Sequence, residues 1–264
     1  MKIRNRRLGY DMPPYIVAEI SCNHNGDIRK AKDLIDAAVA SGADAVKFQT
    51  YEPADLTKPE NTELWALYEK AMTPWQWHPE LFEYCLHAHM PAFSSPFSVH
   101  AVEALERDIN PPCYKIASPE ALRGDIVEAV AKTGKPVIVS TGALNQGQVE
   151  QLNARLGPNV CFLHCIAQYP ARVIDGNIRA LGTLKSVAQL VGLSDHTPGH
   201  DLCVAATALG IVLIEKHIKI DDDCIDAQWS LNPKEFEAMT KAVRDVWHGM
   251  GDGIIKPTCG PRDL

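Results

Sequence analysis

Apolar positions along the chain fall into short continuous runs, each followed by a longer stretch with helical spacing. The runs are YIVAEI (15–20), DAVKFQ (44–49), PAFSS (91–95), CYKIAS (113–118), PVIVS (136–140), VCFLHC (160–165), AQLVGLS (188–194) and IVLIEKHI (211–218). Most are apolar throughout rather than alternating, as expected of strands covered on both faces. Between them, residues 27–41 place Ile28, Ala31, Leu34, Ile35, Ala38 and Val39 on one face, with Gly42 as the stop. Residues 98–107, 121–133 and 146–155 follow the same spacing. A last helix over 233–247 opens with Asn232 as cap, Pro233 in the first turn and Glu235 at the third position. Eight strand–helix units predict a parallel α/β fold, and eight is the number that closes a (β/α)8 TIM barrel as a single domain over residues 1–248. The alternative is an open doubly wound sheet, but no GxGxxG follows the first strand.

Two segments depart from short connections. Residues 50–77 form a long insertion holding Trp65, Trp75 and Trp77, read either as a substrate-covering element or as an extra helix packed outside. Residues 249–264 are Gly/Pro-rich and without periodicity, a tail resembling a linker.

Composition narrows the function classes. The chain has 264 residues and a net charge of −7, so its overall field does not draw it to nucleic acid or to an anionic membrane. Neither a signal peptide nor an apolar run of transmembrane length is evident, which predicts a cytoplasmic protein. Eight cysteines lie scattered through apolar stretches with no CxxC pair, which predicts reduced, buried thiols.

In a barrel the chemistry sits at the carboxyl ends of the strands. Polar residues there include Glu19; Lys47 and Gln49; Ser94 and Ser95; Lys115, Ser118 and Glu120; Ser140 to Gly142; His164 and Tyr169; Ser194 to Thr197; and Glu215 to His217. Lys47 and Lys115 interrupt apolar strands, and a buried lysine is costly unless paired. With the hydroxyls and glycine-flanked turns, they suit a small polyanion bearing phosphate or carboxylate. Lys216 alternates with Glu215 and His217 and is read as facing the other way, in a supporting role. His196 and His217 end neighbouring strands and, beside a carboxylate, suit Mn²⁺, Zn²⁺ or Fe²⁺. His164 is read as a packing or hydrogen-bonding group. His24, in the turn NHNG, is read either as catalytic or as holding that turn.

The stretches AEISCNHNGD (18–27), GADAVKFQTY (42–51), FSSPF (93–97), YKIAS (114–118), GKPVIVSTG (134–142), GLSDHTPG (192–199) and IEKHI (214–218) resemble the sialic acid synthase family. The resemblance spans about 18–250. It implies a (β/α)8 barrel and a transferase that condenses phosphoenolpyruvate with an N-acetylmannosamine-like aldose to a 2-keto sugar acid, releasing phosphate. It also implies a phosphoenolpyruvate set of Lys47, Ser95, Lys115, Ser118, Ser140 and Ser194. Around the sugar and the reacting centre it implies Glu19, Gln49, Glu120, Tyr169 and Asp226. The implied metal ligands are His196 and His217, holding a divalent ion, Mn²⁺ first, with Mg²⁺ or Co²⁺ as alternatives, and no organic cofactor. Glu19 is the candidate for handling water or a proton, and Lys47, Lys115 and His217 complete the catalytic set. The implied partners are the two substrates and a second copy in a homodimer.

Three departures from the family pattern stand out. After the sixth strand HCIAQYP puts Ile166 and Ala167 where the family has Thr and Asn or Ser. After the eighth, IDAQWSL keeps Asp226 but has Ala227, Gln228 and Trp229 in place of His, Lys and Ala. Family members usually continue into an antifreeze-like domain; here that domain is expected from another chain or not at all, which leaves the acceptor sugar open. Competing readings are a Schiff-base aldolase using Lys115 and a non-catalytic sugar-binding or assembly barrel.

Overall fold

A computed structural model describes residues 1–255. Residues 256–264, with Cys259 and most of the expected tail, lie outside the described residues. The chain opens with a two-stranded hairpin, β1 (Lys2–Ile3) and β2 (Arg6–Arg7). Eight parallel strands follow: β3 (Tyr15–Glu19), β4 (Ala45–Thr50), β5 (Ala92–Pro96), β6 (Tyr114–Ile116), β7 (Val137–Ser140), β8 (Val160–Cys165), β9 (Val191–Asp195) and β10 (Leu213–His217). They close in sequence order, with β10 pairing both β9 and β3, so the open-sheet alternative is excluded.

The helices are α1 (Ile28–Ala40), α2 (Pro53–Leu56), α3 (Thr62–Ala71), α4 (His78–His87), α5 (Val99–Asp108), α6 (Gly124–Lys132), α7 (Gln146–Leu156), α8 (Ala180–Val187), α9 (Asp201–Ala208) and α10 (Pro233–Gly249). Among the described residues, no helix is long and apolar enough to cross a membrane. The cap predicted for the last helix forms as a reciprocal pair. Asn232 accepts from the Glu235 amide at 3.0 Å, and the Glu235 carboxylate accepts from the Asn232 amide at 2.9 Å. The helix predicted over 121–133 starts later, at Gly124. A short 3-10 turn, Glu120–Leu122, precedes it, and Arg123 is extended at φ −88°, ψ 99°, which separates the two.

Why these strands read as continuous apolar runs follows from two different coverings. Tyr15, Val17, Phe93, Cys113, Ile138, Cys161, Leu163 and Leu213 pack inside the barrel. Ile16, Ala18, Val46, Phe48 and Ile214 pack outward, in one cluster with Leu34 and Ile35 of α1 and Phe236 of α10. Two residues further along each strand, the interior changes character. Above the apolar layer stand Glu19, Lys47, Ser95, Lys115, Ser140, Ser194 and Glu215, all buried. The barrel is therefore sealed by hydrocarbon at its amino end and polar at its carboxyl end. Ile3 and Leu8, from the hairpin region, close the apolar end. The sequence reading did not foresee that plug, because two-residue strands carry no periodic signal.

The seven described cysteines are free and buried, as expected of reduced thiols. The 50–77 insertion folds into α2, α3 and a 3-10 turn at Trp75–Trp77. It lines the barrel mouth through Tyr51, Asp55, Leu56, Leu67, Tyr68 and Ala71. Its tryptophans do other work: the Trp75 indole donates to the Tyr51 carbonyl at 3.1 Å, and Trp77 packs on His24 at 5.6 Å.

Strand packing depends on one close approach. A Cβ on Gly192 in β9 would overlap the Leu213 carbonyl oxygen and come within 2.7 Å of Leu163 Cδ2. Gly192→Ala is expected to destabilise the barrel by about 2–3 kcal/mol, as overpacking does, read as a lowered midpoint in urea unfolding; an unchanged midpoint would refute the close packing.

Candidate active site

The carboxyl-end polar layer opens into a cavity of about 590 Å³. At its floor two ammonium groups meet two carboxylates. Lys47 Nζ lies 2.6 Å from Glu19 Oε2 and 3.3 Å from Glu215 Oε1, and donates to Ser95 Oγ at 3.2 Å. Lys115 Nζ stands 3.7 Å from the same Glu215 oxygen, and among the described residues the one hydrogen bond it makes is to the Ile116 carbonyl at 3.4 Å. Ser194 Oγ donates to that Glu215 oxygen at 3.1 Å. Burial pulls the Lys47 ammonium down to about 8, opposed by Glu215. Burial pushes the Glu215 carboxyl up, but the ammoniums of Lys115 and Lys47 outweigh it and hold it ionised, below its ordinary range.

This pairing explains how two lysines survive inside a barrel, and it leaves them unequal. Lys47 is engaged closely on three sides, whereas Lys115 keeps its hydrogens for an incoming group. Ser140 Oγ is also buried on the cavity wall without a hydrogen-bond partner. Ser118 Oγ accepts from the Gly142 amide at 3.0 Å. A Cβ on Gly142 would meet the Cys165 carbonyl at 3.0 Å and Ala167 Cβ at 3.1 Å, so this turn needs a residue without a side chain. An ammonium, free hydroxyls and a close backbone make a site for a small anion.

Two imidazoles stand on the next side of the cavity. The His196 and His217 rings are 5.3 Å apart, centroid to centroid. His196 Nδ1 donates to the Ile166 carbonyl at 3.0 Å. His217 Nδ1 lies 2.9 Å from Asp226 Oδ2. Burial drives His196 down to about 3, so it is neutral. Each ring thus has its Nδ1 against an oxygen and its Nε2 without a hydrogen bond among the described residues. For His196 the Nδ1 hydrogen bond leaves Nε2 as the nitrogen open to a metal, and in His217 the Asp226 carboxylate stands next to Nδ1 in the place an orienting oxygen takes. Among the described residues no group of three or more His, Cys, Asp or Glu converges on one point, so an ion here would take two protein nitrogens and complete its shell from water or substrate. The donor set fits a divalent ion of that kind.

Most of the expected residues meet here. Lys47, Gln49, Ser95, Lys115, Ser118, Glu120, Ser140, Tyr169, Ser194, His196, His217 and Asp226 all line the cavity. Glu19 is fully buried and is not on the cavity lining; it lies against Lys47 and accepts from the Ser21 amide at 2.9 Å. Glu215 was noted in the sequence but left out of the site, and it is the carboxylate both lysines share. Its period-two relation to His217 was the available signal. Asp226 faces the cavity but directs its carboxylate at His217, which makes it an orienting group as well as a wall. Gln49 donates to Ser21 Oγ at 3.1 Å. Glu120 is buried with one unpaired oxygen, and burial raises its carboxyl above the usual range.

The remaining readings resolve locally. Lys216 does point away from the cavity, donating to Asp195 Oδ2 at 2.8 Å while fully buried. Asp195 also accepts from the Thr197 amide at 3.0 Å, which pins the turn carrying His196. His164 Nε2 donates to the Gly176 carbonyl at 2.8 Å, the hydrogen-bonding role expected of it. His24 Nδ1 accepts from the Gly26 amide at 3.1 Å and its Nε2 meets Thr73 Oγ1 at 3.2 Å, so it holds its turn and does not line the cavity.

A parallel eight-stranded barrel with a paired-lysine anion site and two available imidazoles at its carboxyl end defines a class of metal-suited, anion-binding barrel enzymes. Comparison with known proteins makes this specific: residues 34–255 match the NeuB family, and the chain belongs to it. It is 39% identical to pseudaminic acid synthase of Campylobacter jejuni, over 93% of this chain and 77% of that protein. It is 32% identical to N-acetylneuraminate-9-phosphate synthase of Mus musculus, over 93% of this chain and 74% of that protein. The structure of N-acetylneuraminic acid synthetase from Leptospira borgpetersenii superposes with a TM-score of 0.92 at 30% identity, covering 98% of this chain and 92% of that one. The chain is accordingly an enzyme, a phosphoenolpyruvate-dependent transferase of the sialic acid synthase type that makes sugar acids.

Lys216→Met leaves Asp195 buried without its cation. It is expected to cost about 3–5 kcal/mol of stability, the usual penalty for breaking a buried pair from one side, seen as a large fall in the denaturation midpoint; a fall of less than about 1 kcal/mol would contradict the pairing.

Proposed function

We propose that this chain condenses phosphoenolpyruvate with an N-acylated aldose to give a 2-keto sugar acid and inorganic phosphate. The observation that carries the reading is Lys115: a buried ammonium with its nearest carboxylate 3.7 Å away, beside the unpaired hydroxyl of Ser140. In this reading Lys115, Ser140 and Ser95 take the phosphate and carboxylate of phosphoenolpyruvate, and Lys47 offsets their charge from below. Carbon C3 of phosphoenolpyruvate attacks the acceptor's aldehyde carbon, water adds at C2, and the tetrahedral intermediate releases phosphate by C–O cleavage. Glu215 keeps both ammoniums in register while the charge redistributes. His196 and His217 would hold a divalent ion, Mn²⁺ in the first instance, which supplies Lewis-acid polarisation of the acceptor carbonyl when bound. The Ile166 carbonyl orients His196 through its Nδ1, and the Asp226 carboxylate stands 2.9 Å from His217 Nδ1. Glu120, whose carboxyl burial raises above its usual range, lines the cavity with one oxygen unpaired among the described residues, where it can meet a hydroxyl of the acceptor.

The direct test is phosphate release from phosphoenolpyruvate with Mn²⁺ across a panel of aldoses. Release that requires both substrates, with a sugar acid as product, supports the reading; release with none of the panel overturns it. Lys115→Met is expected to weaken phosphoenolpyruvate binding at least about a hundredfold, the scale for a lost charge-assisted contact in a buried site, measured by calorimetry. His217→Ala is expected to abolish Mn²⁺ binding by electron paramagnetic resonance with an unchanged circular dichroism spectrum, and full activity of that variant in metal-free buffer would remove the metal assignment.

A further inference from the structure

Trp229 stands where the family pattern has a small residue, and its surroundings give it a task. It follows Asp226 in the loop after β10 and is 8% exposed. Its ring meets Tyr169 edge-on at 5.5 Å and His217 at 6.1 Å, and Tyr169 in turn lies 4.2 Å from His196. Trp229 and Tyr169 therefore make one aromatic wall beside the imidazole pair, on the cavity lining. The outer cavity continues that character with Ile225, Leu67 and Phe97.

Charge in the same region completes the picture. Above the Lys47–Lys115 floor, Arg123 is the one lysine or arginine among the described residues lining the cavity. It is already committed, donating to the Phe97 carbonyl at 3.1 Å and to Asp125 at 3.0 Å. Asp55, Glu120 and Asp226 line the cavity too. Beyond the floor lysines and an ion held by His196 and His217, an acceptor's own phosphate would find no uncommitted lysine or arginine among the described lining residues. An uncharged acceptor with apolar groups, such as acyl methyls or a deoxy carbon, would find an aromatic face to pack against.

We propose that Trp229 is a specificity-determining residue, packing against the apolar side of a neutral, N-acylated acceptor sugar and selecting it over phosphorylated or fully hydroxylated ones. This rests on the condensation reading above, and it concerns only the acceptor side of the site.

The test compares the wild type, Trp229→Ala and Trp229→Phe with phosphoenolpyruvate, Mn²⁺ and three acceptors: N-acetylmannosamine, its 6-phosphate and a diacetamido-trideoxyhexose. Wild type is expected to prefer the diacetamido sugar and to use the 6-phosphate at least about a hundredfold less well in kcat/KM. Trp229→Ala should raise KM for the preferred acceptor about tenfold or more and flatten the ranking, while phosphoenolpyruvate binding by calorimetry stays within about threefold. Retained phosphoenolpyruvate binding certifies that the variant is folded, and Trp229→Phe, which keeps an aromatic face, should hold most of the wild-type ranking. An unchanged acceptor ranking in Trp229→Ala, or a wild type that prefers the 6-phosphate, overturns the proposal and leaves the condensation reading standing. A wild type inert toward every aldose overturns both.

Discussion

Everything at the carboxyl end of this barrel depends on keeping two ammonium groups where water is scarce. A lone buried lysine would shed its proton or unfold its surroundings. Here Glu215 is shared between Lys47 and Lys115, and Glu19 closes on Lys47 from below. Neighbouring strands make that sharing feasible, because β4 and β10 both flank β3, with Lys47 opposite Glu19 and Glu215 opposite Val17. The result is a floor that is electrostatically balanced yet keeps one cation loosely engaged. A site that bound its own charges completely would have nothing left for a substrate anion.

The same logic of half-satisfied groups recurs around the cavity. The His196 imidazole is fixed at Nδ1 by the Ile166 carbonyl, His217 Nδ1 stands 2.9 Å from Asp226, and neither Nε2 has a hydrogen bond among the described residues. Ser140 and Glu120 each keep a polar atom without a partner. By contrast, the outward network of Lys216, Asp195 and Thr197 is closely paired, and its effect is mechanical: it anchors the turn that presents His196.

Acceptor choice and anion binding occupy different layers. The anion floor is built from strand residues whose positions follow from register. The acceptor wall is built from loops, chiefly the segment after β10 with Trp229, the segment after β8 with Tyr169, and the insertion carrying Leu67. Loops can change a wall without disturbing the barrel. Trp229 falls on this side of the cavity and the floor lysines on the other.

How much was legible beforehand follows the same division. Tyr15, Val17 and Glu19 alternate with Ile16 and Ala18, and that period of two places the strand, its inner face and its carboxylate from sequence alone. The eight runs, the Asn232 cap and the outward turn of Lys216 follow from equally local rules. Local rules could not decide who pairs with whom. Glu19 and Glu215 carry the same chemical group on the same kind of strand, and only barrel closure puts one beneath the wall and the other between two lysines. Likewise His24 and His217 both sit among polar residues; the fold gave one to Thr73 and a turn amide and the other to the cavity. Sequence determined the strands, their faces and the residue types available for chemistry, because these depend on neighbours along the chain. Tertiary structure alone decided which charges neutralise each other and which remain free, because that depends on distances across the barrel.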